Sequence, residues 1–130
     1  MKQKPSVPAT PVDPGATLEL SIKDRLTLPN LLPEQSNLLE MKIMRSIERK
    51  IEIQAQELIA VNYHDVIDQE GKPTGRVEWD PKKDKPFKAH LSGIEISLLK
   101  KFVNRLSQEN KIPKNCADIA IKIDEAKIGE

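Results

Sequence analysis

Thiols, aromatic rings and imidazoles are scarce in this chain: among 130 residues there are one cysteine, four aromatics and two histidines. A lone Cys116 can close no intramolecular disulfide, and it cannot supply the several thiolates of a cysteine-based zinc site. With Tyr63, Trp79, Phe87 and Phe102 as the whole aromatic set, stacking platforms for bases are few, and the core is expected to be built from Leu and Ile. No apolar run approaches the roughly 18 residues that would cross a bilayer. The leading MKQKPSVPATP has no hydrophobic stretch of the secretory type. The expectation is a soluble, unexported chain in a reducing compartment.

A charge excess is missing as well. Lys and Arg number 21 against 20 Asp and Glu, so no global field steers the chain toward nucleic acid or an anionic membrane. The imbalance is local: residues 18–71 are acidic, whereas 72–91 hold six basic against three acidic groups.

What is present begins with proline. Pro5, Pro8, Pro11 and Pro14 recur every third residue, the period of a polyproline II helix, and Lys2 stands at basic-x-x-Pro-x-x-Pro spacing from Pro5 and Pro8. Such a segment either offers a ligand edge or acts as a semi-rigid spacer; its composition favours the spacer. Residues 1–17 are therefore read as a proline-rich flexible tail and 18–130 as one domain of adequate size for a core. Deleting residues 1–16 is expected to leave thermal stability nearly unchanged.

The domain reads as α+β, with four or five helices and a small antiparallel hairpin or sheet. SIKD (21–24) and SGIE (92–95) carry the Ser-to-acid spacing of a capping box. The first should open a short helix that Pro29 interrupts. Prolines at 29 and 33 and then Gln-Ser-Asn predict a turn and a new cap, after which Leu39, Ile43, Ile47 and Ile51 mark one face of a helix over 38–50. Residues 55–61 form another short helix. Ile94, Leu98, Leu99, Phe102, Val103 and Leu106 define the longest helix, 93–109, and Cys116, Ile119 and Ile123 share one face of a last helix. HDVIDQEGKPTG (64–75) reads as a loop. RVEWD (76–80) and PFKAHL (86–91) alternate and read as an antiparallel hairpin turned by PKKDK.

Chemistry is thinly represented. His64–Asp65 is two ligands where a metal needs three or four, and His90 lies far along the chain. Cys116 falls on an apolar helix face, where a cysteine behaves as a small hydrophobe. GKPTG lacks phosphate-loop spacing, and no nucleophile elbow or HExxH pattern occurs. No catalytic, cofactor-binding or metal-binding residue is assigned, and neither an enzyme nor a cofactor is expected. The one candidate interaction surface is Trp79 with the basic cluster Lys82, Lys83, Lys85 and Lys88. Short helices followed by a cationic hairpin are compatible with a winged-helix nucleic-acid regulator. Against it, the would-be reading helix carries Glu40 and Glu48, and residues 18–130 have no net charge. Lysines of this kind also keep an edge strand from aggregating.

The order RLTLPNLLPEQSNLLEMKIMRSIERKIEI, ELIAV, VEWD and ISLLKKFVNRLSQENKIP resembles small proteins of tailed-phage and prophage genomes. In these an LLP-x-Q turn opens a helix, a Trp-Asp strand follows and a Leu-Lys-Lys helix closes the domain. The resemblance covers about residues 19–113. It implies a phage origin, no assigned activity, and a location in the host cytoplasm or the virion. The expected function is that of a non-enzymatic accessory protein acting through protein–protein contacts, in virion assembly or on a host factor. A protein partner, no membrane and a possible homo-oligomer complete the expectation, with nucleic acid as the alternative.

Overall fold

A computed structural model describes residues 14–129 of the chain. Its elements are β1 (Ala16–Leu20), α1 (Ile22–Thr27), a 3-10 turn (Leu28–Leu31), α2 (Leu38–Ile51), α3 (Ala55–Ala60), β2 (His64–Ile67), β3 (Pro73–Glu78), a second 3-10 turn (Pro81–Lys83), β4 (Phe87–Leu91), α4 (Gly93–Gln108), a third 3-10 turn (Lys114–Cys116) and α5 (Ala117–Glu125). Among the described residues, five helices and two small antiparallel sheets make an α+β fold. Pro5, Pro8, Pro11 and Lys2 lie outside the described residues.

The helix starts follow the chemistry of their first turns. Ser21 and Ser92 each accept the backbone N–H of the acid three residues on, while Asp24 and Glu95 accept the N–H of the serines, so both capping boxes close. Asn37 Oδ1 accepts from Glu40 N–H at 2.8 Å and opens α2. The core fills the space between the β1–β4 sheet and α1, α2, α4 and α5, with Leu20, Leu28, Leu31, Ile47, Leu91, Ile96, Leu99, Ile119 and Ile123 all but sealed from water. Cys116 is fully buried within it, and burial pushes its thiol pKa up.

Strand pairing departs from the sequence expectation. Residues 76–80 and 86–91 do not pair with each other: β4 pairs antiparallel with β1, Leu20 opposite Phe87 and Ala16 opposite Leu91, and β3 pairs with β2. The inward set of β4, Phe87, Ala89 and Leu91, needs a strand with its own apolar face. β1 supplies one in Ala16, Leu18 and Leu20, whereas β3 offers only the half-buried Val77. Residues 64–75, expected as a loop, instead hold β2 and the start of β3. The Asp68 carboxylate accepts from Glu70 N–H and Lys72 N–H, both at 2.9 Å, and Asp68 N–H reaches Lys72 O at 2.8 Å, which closes the hairpin locally.

β1 begins at Ala16, two residues ahead of the expected Leu18 boundary. Ala16 is buried, and Gly129 N–H donates to Gly15 O at 2.8 Å. A deletion through Ala16 therefore removes packed and paired residues, contrary to the neutral outcome read from composition. Gly15 has φ +50°, and a Cβ there would fall 2.0 Å from Leu91 O. Gly71 and Gly75 also have positive φ but face open space. Gly15→Ala is expected to lower the melting temperature clearly more than Gly71→Ala or Gly75→Ala, because strain of about 1–3 kcal/mol is compounded by a backbone clash at only one of the three; equal losses in a thermal melt would contradict this.

Glu95 joins two helices. Beyond its cap, it accepts from the Ser46 hydroxyl and the Lys50 ammonium, both at 2.7 Å, tying the start of α4 to α2. Burial alone would raise its pKa, but the hydrogen bonds from Lys50, Ser46 and Ser92 outweigh it and hold the carboxyl below its ordinary value. Glu57 is likewise lowered, chiefly by hydrogen bonds from Arg25. A carboxylate with a depressed folded-state pKa contributes stability above the unfolded value of about 4.3, and that contribution is lost as pH falls through the folded-state pKa. Melting temperature should be flat from neutral pH to about 5 and fall below about 4.3, and Glu95→Gln should shrink the fall. An unchanged acid limb in the Glu95→Gln variant would contradict it.

Candidate cationic cleft

Arg25 organises one side of the molecule. Its guanidinium is almost wholly buried: Nε donates to Ile51 O at 3.0 Å, one NH2 group to Glu52 O at 2.8 Å, and the fork engages Glu57 at 2.5 and 3.0 Å. Its flat face lies 3.9 Å from the centroid of the Phe87 ring. These contacts fix α1, the end of α2, α3 and the start of β4 against one another, and a cleft of about 600 Å³ opens where they meet.

The cleft has an apolar floor and a charged rim. Ile22, Ala60, Val61, Pro86 and Phe87 line it together with Lys82, Lys83, Lys85, Glu57 and Asp84. Of the two carboxylates only Glu57 is charge-paired; Asp84 keeps its negative charge beside the lysines. Glu57 is held by Arg25, and Asp84 Oδ2 accepts the N–H of Ile22, the first residue of α1, at 3.0 Å. The 3-10 turn that presents two of the lysines is itself capped, Asp80 Oδ1 accepting from Lys82 N–H at 3.0 Å. Lys82, Lys83 and Lys85 are exposed and enter no ion pair among the described residues. Such a site attracts negative charge and offers apolar surface to an apolar side chain.

The surface expected from sequence is thus brought together in part. Lys82, Lys83 and Lys85 share the cleft. Lys88 does not: strand alternation turns it away from Phe87, opposite Glu19 on β1. Trp79 stands outside the cleft lining and stacks on Tyr63, ring centroids 6.2 Å apart and planes 21° from parallel. The floor residues and the Arg25–Glu57 fork carry no sequence signal, because they converge from segments 22–25, 57–61 and 86–87 that only the tertiary fold joins. His64 and His90 are separate: the Nδ1 of His64 is 2.8 Å from Asn62 O and that of His90 3.1 Å from Thr17 Oγ1, and no three potential metal ligands converge among the described residues.

A second, more apolar hollow of about 540 Å³ lies between the starts of α2 and α4, lined by Leu39, Ile43, Ile94, Leu98 and Ile128 with Pro14 at its edge. Leu39 and Ile94 are 68% and 63% exposed, so the sequence stripe that placed them on core faces overreached at the first turn of each helix. The Glu40–Lys101 ion pair, at 2.6 Å, borders it.

No protein-family model, no curated protein and no solved structure matches the chain. No described helix is long and apolar enough to cross a membrane.

Proposed function

We propose that the chain is a non-enzymatic protein-contact module whose cleft holds an acidic segment of a partner with an apolar side chain inserted between the lysines. The observation that carries this reading is the pairing of an apolar floor with three exposed lysines against one uncompensated carboxylate, Asp84, because Glu57 is already paired with Arg25. Protein ligands of this kind use the charge for approach and specificity and the buried apolar group for residence. The exposed leucines and isoleucines at the starts of α2 and α4 are further surface of the type proteins use for contacts. The resemblance to tailed-phage and prophage proteins supports an accessory role in virion assembly or on a host factor, in the host cytoplasm or the virion.

The same lysines support a second reading, nucleic-acid binding, although residues 76–91 form no wing. Calorimetric titration separates the two. A synthetic Glu-rich peptide carrying one Ile should bind at low salt, and Lys82→Glu, Lys83→Glu and Lys85→Glu together should weaken it roughly tenfold or more. Duplex DNA bound in preference to the peptide, with a steep salt dependence, would favour the second reading. No binding of either, or peptide affinity indifferent to the three lysines, overturns the site.

A further inference from the structure

We propose that the cleft is filled by the β2–β3 arm of a second copy of this chain, with the exchange reciprocal, so that two copies close into a two-fold dimer. This rests on the reading of the cleft given above and supplies its occupant. The arm has the chemistry the cleft asks for. Residues 64–79 carry four carboxylates against two cations, net −2, and Ile67 is 59% exposed at the end of β2.

The arm also stands apart from the body. β2 and β3 pair with each other alone, and their residues are exposed except for half-buried Val66 and Val77. It is tied to the domain at its root, where Asp80 N–H donates to Val61 O at 2.7 Å, and its two legs are held together there by the stacking of Tyr63 on Trp79. A two-stranded hairpin whose only covered strand residues are two half-buried valines is marginal in water, and a further layer would complete it. At about 3.3 Å per residue the six residues of β3 extend about 20 Å, enough to reach across an interface.

The arm springs from the edge of the cleft itself. It leaves the body after Val61 and returns at Pro81, and the cleft is lined by Val61 and by Lys82 to Phe87. Arm root and cleft rim are therefore the same stretch of surface. With the two so close, one two-fold axis beside the rim can place both arms in both clefts at once, and the proposed exchange is of this closed rather than fibrous kind.

Sedimentation velocity of the full chain, up to about 1 mM, gives the test. The expected result is a dimer at about 0.05 M salt that weakens at about 0.5 M. The triple variant Lys82→Glu, Lys83→Glu, Lys85→Glu and the arm variant Asp65→Lys, Glu70→Lys should each dissociate roughly tenfold or more readily. Mixed together they should form a heterodimer, because each reversed cleft then meets a reversed arm. All the altered side chains are exposed, and circular dichroism checks that each variant is folded. A wild-type chain that stays monomeric, or a dimer that neither variant weakens, overturns the proposal, as does a mixture that fails to pair. A monomeric chain that still binds the acidic peptide through its lysines loses this inference alone; loss of both activities removes the cleft reading too.

Discussion

Replacing Arg25 with alanine should lower the melting temperature by about 12–20 °C. Two carbonyls left without their donor cost about 1–3 kcal/mol each, and the lost fork to Glu57, 30% exposed and able to rehydrate, with the lost stacking on Phe87 adds a smaller share, about 3–5 kcal/mol in all. For a domain of this size each kcal/mol is worth about 4 °C. Here the change strands Glu57 and leaves Ile51 O and Glu52 O without the donor that held them, and it uncovers the Phe87 ring. Arg25→Lys should recover only part of the loss, since an ammonium cannot span Glu57 and two carbonyls with a planar fork. A melting temperature within a few degrees of wild type, by scanning calorimetry, would show that the guanidinium does not join these elements. The same variant should loosen the cleft wall, because Glu57 and Phe87 both line it.

Phe102→Ala should cost about 3–5 kcal/mol, the usual penalty for emptying a buried phenylalanine site. Phe102 is 1% exposed and packs with Met44 and Leu98 where α2 meets α4, in a cluster beside the main core. Ile94→Ala, eight residues earlier on the same helix, should change stability by no more than about 0.5 kcal/mol. Denaturant melts of the two variants give the comparison. Equal losses would mean that Ile94 is covered, and that the groove it lines is a closed part of the core.

That contrast also shows where the sequence was legible. Periodicity located α2 and α4 to within a residue at each end, and capping residues located their starts, because both signals are local. Periodicity could not tell Ile94 from Ile96: both lie near the helix start, and which one meets the core depends on the angle of approach to β1 and β4. Pairing failed for the same reason. The alternation in 86–91 is real and the strand exists, but its partner is 67 or more residues away in β1, and chain proximity pointed instead to 76–80. The basic cluster Lys82, Lys83 and Lys85 was visible as composition. Its floor was not, since Ile22, Val61 and Phe87 become neighbours only when Arg25 and Asp84 pin α1 to the segments on either side.

The cationic cleft is the proposed place where this chain meets a partner. Amide chemical shifts of the isotope-labelled full chain, followed through titration with the Glu-rich, Ile-bearing peptide, test it residue by residue. Perturbations should gather at Ile22, Ala60, Val61, Lys82, Lys83, Lys85 and Phe87, and vanish in the triple lysine variant. Shifts confined to Leu39, Ile94 and Leu98 at the apolar hollow, or none anywhere, would contradict it.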